Sequence, residues 1–88
     1  MKVNDIITIV TIAGEYIGKF KELTPEGLTV GTPRVLIQQD GEMGFAKGVC
    51  MTGKMEPDSV VFKDYVYFTE TDEDFQKSYH QATSGLII

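Results

Sequence analysis

Four kinds of side chain in this sequence could carry chemistry: one thiol, one imidazole, a run of carboxylates and a scatter of lysines. Cys50 is the only cysteine and His80 the only histidine. A nucleophilic thiol needs a nearby base, and the sequence sets no histidine close to Cys50, so a small packed hydrophobe inside a β run is expected there. His80 falls in a stretch with helical spacing, and a metal site would need further ligands at a Cys/His spacing the chain lacks. The carboxylates Glu70, Asp72, Glu73 and Asp74 have neither the ligand spacing nor the central glycine of a calcium loop. They suit the positive end of a helix dipole. No glycine-rich phosphate loop is present. The expectation is a protein that is not an enzyme, with no catalytic residue, cofactor or metal.

Binding is then the chemistry left to consider. The net charge of −5 excludes a protein that coats DNA by bulk electrostatics. The charge is uneven, because four of the thirteen acids lie at 70–74. Residues 1–69 hold nine acids against seven bases, which permits a local basic site but no broad basic face. The strand aromatics, among them Tyr16, Phe20, Phe62 and Phe68, could include base-stacking platforms, but most are expected to fill the core.

The elements that must position these groups are short β segments punctuated by turns. Residues 3–12 are rich in Ile, Val and Thr and are apolar on both alternating faces. Such a strand fits a small barrel with something packed outside it. Gly14 supplies a turn. Residues 15–23 alternate, and Gly18 within them marks bending or close backbone approach. Thr24-Pro25-Glu26-Gly27 reads as a turn, with Pro25 presetting φ. A third strand starts at Leu28-Thr29-Val30, is distorted at Gly31-Thr32-Pro33 and resumes over 34–39. Asp40-Gly41 is the strongest hairpin signal in the chain. The returning strand is expected over 45–52, a loop over 53–58 and a last, long strand over 59–69. That strand would expose an apolar edge and should pair with another copy. Thr71 and Asp74 have the spacing of a capping box, opening a helix over about 72–84. Phe75, Tyr79, Ala82 and Leu86 recur at helical spacing, Gly85 is a helix stop, and Leu86-Ile87-Ile88 is an apolar tail.

At 88 residues the chain makes one domain with a modest core, burying about 60% of its unfolded surface. No run of 18 apolar residues exists to span a membrane, and Thr8 and Thr11 interrupt the N-terminal apolar stretch, so no signal peptide is expected. A single cysteine fits a reducing compartment, and a cytoplasmic location is expected. The sum is a mainly β fold: a small, strongly bent, five-stranded antiparallel barrel, SH3-like or OB-like, with a C-terminal helix. Residues 1–70 would form the barrel, and 71–88 the helix and apolar tail packed on the same domain.

The stretch Ile9-Val10-Thr11-Ile12-Ala13-Gly14-Glu15-Tyr16-Ile17-Gly18-Lys19-Phe20 resembles the first motif of the Sm/LSm family, which includes bacterial Hfq. Val49-Cys50-Met51-Thr52-Gly53 is similar to the second motif, and Ser59-Val60-Val61-Phe62 fits the strand after it. The order of elements agrees over about residues 5–68. The resemblance implies an Sm-like barrel whose fourth and fifth strands pair between neighbours to make a ring. It also implies nucleic-acid contacts from Thr24, at the place of the family's Asp, and from Thr52 and Gly53, with Lys54 supplying the basic charge that Thr52 lacks. Arg34, repeated around a pore, would add to the field.

The function expected is therefore a homo-oligomeric Sm-like ring that binds single-stranded nucleic acid, RNA ahead of DNA, through Thr24, Arg34, Thr52, Gly53 and Lys54. The rival expectation is a structural or assembly adaptor, of viral or other complexes, that binds protein only. The acidic helix and apolar tail favour that rival.

Overall fold

The computed structural model describes residues 1–83. Six strands and one helix follow in order: β1 (Ile6–Thr11), β2 (Gly14–Thr24), β3 (Gly27–Gln39), β4 (Glu42–Ala46), β5 (Ser59–Phe62), β6 (Tyr67–Glu70) and α1 (Glu73–Thr83). All pairings are antiparallel, in the spatial order β4-β3-β2-β1-β6, with β5 also on β3. The mainly β class and the C-terminal helix are as expected. The number of strands is six, not five, and among the described residues the sheet does not close into a barrel.

The three tight turns follow local chemistry. Thr11 Oγ1 accepts hydrogen bonds from the amides of Ala13 and Gly14, both at 3.1 Å, and closes the β1–β2 turn. Thr24 Oγ1 accepts from the amide of Glu26 at 3.2 Å in the β2–β3 turn. Asp40 and Gly41 have φ of 53° and 81°, the pair of left-handed residues that a two-residue hairpin of matching twist requires.

The bend in β3 organises the molecule. Thr32 has φ of 45°, and Pro33 has no N–H to donate, so the ladder with β2 slips between Ile17↔Arg34 and Lys19↔Gly31. At the same point the outer edge of β3 changes partner. Residues 35–39 pair with β4, and residues 28–31 pair with β5. Gly18 sits against the bend: a Cβ there would collide with the Val30 side chain and lie 2.9 Å from the carbonyl oxygen of Gly31.

Two expected strands break for this reason. The returning strand ends at Ala46, not Thr52, because β3 turns away and leaves the next residues nothing to pair with. The expected 59–69 strand is two strands, β5 on β3 and β6 on β1, joined by a crossing at Lys63–Val66. Its edges are thus partly satisfied within one chain, which removes the long unpaired strand as a reason for oligomerisation.

Alternation along β1 puts apolar side chains on both faces, and both are buried. Ile7 and Ile9 join Leu28 and Val30 in one cluster, with Tyr16, Phe20, Phe62, Tyr65 and Phe68 packed around it. Ile6, on the other face, joins Ile17, Tyr79 and Phe45 beneath α1. The outside packing expected for this strand is therefore the helix. Its N-cap is Asp72, whose Oδ2 accepts from the amide of Asp74 at 3.1 Å. Thr71, the expected cap, is drawn into the sheet instead: its hydroxyl shares a 2.8 Å hydrogen bond with Thr8, and its amide donates to Ile6 O. The expected helix stop at Gly85, Leu86 and the apolar tail lie outside the described residues.

Candidate interaction surface: the loop between the fourth and fifth strands

Residues 47–58 leave the sheet where β3 bends, and two backbone hydrogen bonds pin their base. The Thr32 amide donates to Asp58 O at 2.8 Å, and the Glu56 amide donates to Lys47 O at 3.0 Å. Glu56 holds φ at 52° to make the return. Inside the loop, Gly53 lies against Cys50 Sγ so closely that a Cβ would collide with it. A Cβ on Gly48 would lie 3.4 Å from Met55 Sδ. The loop is thus folded on itself, with Met51 and Met55 turned outward.

Met51 is fully exposed and Met55 is 62% exposed. Along the adjoining hairpin, Ile37 and Met43 are exposed as well. Val35, Ala46, Lys47, Val49, Met51 and Met55 line a shallow apolar groove of about 320 Å³. Lys47 helps line it, and Lys54, Glu56 and Asp58 are exposed in the same loop. The loop is apolar at its groove and carries two bases and two acids, in a chain whose net charge is −5.

The structure divides the five expected site residues. Thr52, Gly53 and Lys54 lie together, exposed, in this loop. Gly53 serves the loop's own packing against Cys50. Thr24 is elsewhere, in the β2–β3 turn, and residues 28–31 of β3 separate that turn from the loop by roughly 13 Å at strand rise. The turn's neighbour is the β5–β6 crossing: a Cβ on Gly27 would lie 2.7 Å from Phe62 O. Arg34 is not at a surface. It is 6% exposed beneath α1, and its Nη1 donates to Pro33 O at 2.8 Å. Cys50, expected inside a strand, is exposed in the loop.

Arg34 instead belongs to the seam between helix and sheet. Tyr79 is fully buried there, its hydroxyl donating to Thr32 O at 2.6 Å and its ring packing edge-on against Phe45 at 6.3 Å. Burial pushes the Tyr79 phenol up to about 12; the Arg34 charge and the Thr32 side chain pull the other way. Beside the seam, Thr8, Ile17, Leu36, Phe45 and Phe75 help line a second cavity of about 270 Å³.

Residue-by-residue reading found Lys54 but missed Lys47, Met51 and Met55 as parts of one surface. The signal was present: two glycines, two lysines and two methionines within residues 47–55, which follow a hairpin. Lys63, exposed in the crossing beside the Thr24 turn, was also missed. Among the described residues no group of three His, Cys, Asp or Glu side chains could hold a metal ion. Nor is any described helix long and apolar enough to cross a membrane. In comparisons with protein-family models, curated proteins and solved structures, the chain matches none.

Proposed function

We propose that this protein is a non-catalytic assembly domain that binds protein through the 47–58 loop and the adjoining free edge of β4. One observation carries the reading: Met51 and Met55 are exposed in an apolar groove that Val35, Ala46 and Val49 also line. Exposed apolar residues scattered singly need no explanation, whereas a contiguous patch marks an interaction surface. Methionine suits such a surface because its unbranched, polarisable side chain adapts to a partner's shape.

A second reading is the Sm-like ring binding single-stranded RNA or DNA, and a different observation favours it. The outer strands are β4 with β5 on one side of the sheet and β6 on the other. In this reading those free edges would pair with neighbouring copies, as the resemblance implies for a ring. Lys47 and Lys54 would then give the loop its attraction for phosphate.

Native mass spectrometry with and without a short single-stranded oligonucleotide separates the two. An oligomer that ignores the oligonucleotide supports the protein-binding reading. Uptake of the oligonucleotide, weakened by Lys54→Ala and not by Lys2→Ala, supports the ring reading. A 9.8 kDa monomer that takes up no oligonucleotide at tens of micromolar rejects the ring.

A further inference from the structure

We propose that Cys50, Met51 and Met55 form a binding site for a soft monovalent metal ion, copper(I), in the groove of the 47–58 loop. The proposal goes beyond the protein-binding reading of the loop and does not depend on it.

The warrant is a concentration of sulfur in one place. Residues 50–55 supply one thiol and two thioethers, from a chain with one cysteine and four methionines in all. All three side chains line the same groove, with Val35, Ala46 and Val49 as its apolar walls. The hydrogen bond from the Glu56 amide to Lys47 O brings the two ends of this segment together. Gly48 leaves room between them: a Cβ there would lie 3.4 Å from Met55 Sδ and 3.6 Å from Cys50 O. The sulfurs are also accessible. Cys50 is exposed, Met51 fully so, and Met55 is 62% exposed. A methionine turning toward an ion here gives up no packing, and its unbranched side chain has the rotatable bonds to do so.

The donor set selects the ion. Thiolate and thioether are soft ligands, and together they favour copper(I). Zinc takes thiolate, imidazole or carboxylate ligands, usually four of them. Among the described residues no group of three His, Cys, Asp or Glu side chains could hold it, and thioethers do not make up the shortfall. Binding removes the Cys50 thiol proton to solvent and forms a bond from the thiolate sulfur to copper. The thiolate and the monovalent ion cancel in charge, so the product is a neutral unit that apolar walls tolerate.

Anaerobic titration of the reduced full chain with copper(I), in competition with the coloured chelator bicinchoninate, tests this. The protein should withdraw one copper per chain, read by loss of the chelate colour and by native mass. Cys50→Ser should abolish the withdrawal. Met51→Leu/Met55→Leu should weaken it by about a hundredfold or more, because even groups that only orient metal ligands are worth about 10–100-fold. Met43→Leu, at a residue that lines the cavity beside α1 instead, should change nothing. All variants should keep the wild-type circular dichroism. The two leucines leave the groove apolar, so a protein partner should still bind the double variant that has lost copper; this keeps the metal site separable from the protein-binding reading. No withdrawal of copper by the wild type overturns the proposal. So does undiminished binding by the double leucine variant, which would mark a thiol acting alone. One copper shared between the Cys50 thiolates of two chains, or equal uptake of zinc(II), overturns it as well.

Discussion

The helix seam and the 47–58 loop lie against the same bend in β3, yet they handle their side chains in opposite ways. At the seam, Thr32 offers its carbonyl to Tyr79 Oη, Arg34 is drawn under the helix, and an aromatic residue reaches zero exposure. At the loop, the Thr32 amide holds Asp58 O, and the side chains beyond are left outside, with Met51 fully exposed. One distorted residue thus anchors a buried polar contact with its C=O and an exposed loop with its N–H. The seam is where the molecule's stability concentrates. The loop places Met51 and Met55 outside both buried clusters.

The largest expected effect is at the seam. Tyr79→Ala removes a fully buried ring and its contacts with Ile6, Ile17 and Phe45, and should cost roughly 3–5 kcal/mol in urea denaturation. A cost below about 1 kcal/mol would show that α1 is an appendage, and the contrast between the two regions would fail.

The next effect follows from the phenol. Folding holds Tyr79 neutral, with its pKa raised from 10.0 to about 12, mainly by burial. The unfolded chain releases this proton first. The contribution is therefore fully present below pH 10 and is lost as the pH rises through the window from 10 to about 12. A shift of this size corresponds to about 2–3 kcal/mol. Other tyrosines and lysines titrate in the same range, so the measurement is the difference between wild type and Tyr79→Phe. The Phe variant should lose the bond to Thr32 O, worth about 1 kcal/mol near neutral pH, and should show a shallower alkaline decline. Parallel declines in the two proteins would reject a specially perturbed Tyr79.

What the sequence made legible was local. The Asp40-Gly41 hairpin, the Thr24–Gly27 turn and the bend at Gly31-Thr32-Pro33 all depend on φ preferences or on a missing N–H, and these travel with the residue. The two-faced burial of β1 was legible from its double apolar pattern. What was hidden depends on partners. Val49-Cys50-Met51 has the composition of a strand, but a strand exists only beside another strand, and the bend removes the neighbour. The 59–69 segment reads as continuous, yet its chain must cross from β3 to β1 and breaks at Lys63–Val66. Arg34 carries a charge that favours a surface, and only the placement of Tyr79 over it puts it inside. For the candidate site, Thr52, Gly53 and Lys54 were readable as an exposed cluster, while Thr24 and Arg34 were joined to them by the resemblance and not by geometry.

A smaller effect sharpens the account of the seam. Asp72, not Thr71, caps α1, so Asp72→Ala should cost about 1 kcal/mol, close to the usual loss of an N-cap. Thr71→Val should also destabilise, but through Thr8: it leaves the Thr8 hydroxyl without its 2.8 Å partner in a part-buried contact. A double-mutant cycle of Thr8→Val with Thr71→Val should therefore show coupling, whereas Asp72→Ala with Thr8→Val should be additive.

The smallest expected effect on folding is the most informative about function. Met51 makes no part of either buried cluster and is fully exposed. Met51→Ser should change unfolding free energy by less than about 0.5 kcal/mol, the range of surface substitutions. It should even ease solubility of the isolated monomer, because an exposed thioether in a groove mouth gains from leaving water and a hydroxyl does not. If the groove binds protein, the same change weakens association, since the apolar area Met51 would bury is lost. The two measurements together separate a folding residue from a binding one. Unchanged stability with weakened self-association assigns Met51 to the interface. A large loss of stability would instead mean that the loop helps hold β4 and β5 against β3, and that its exposed methionines are structural.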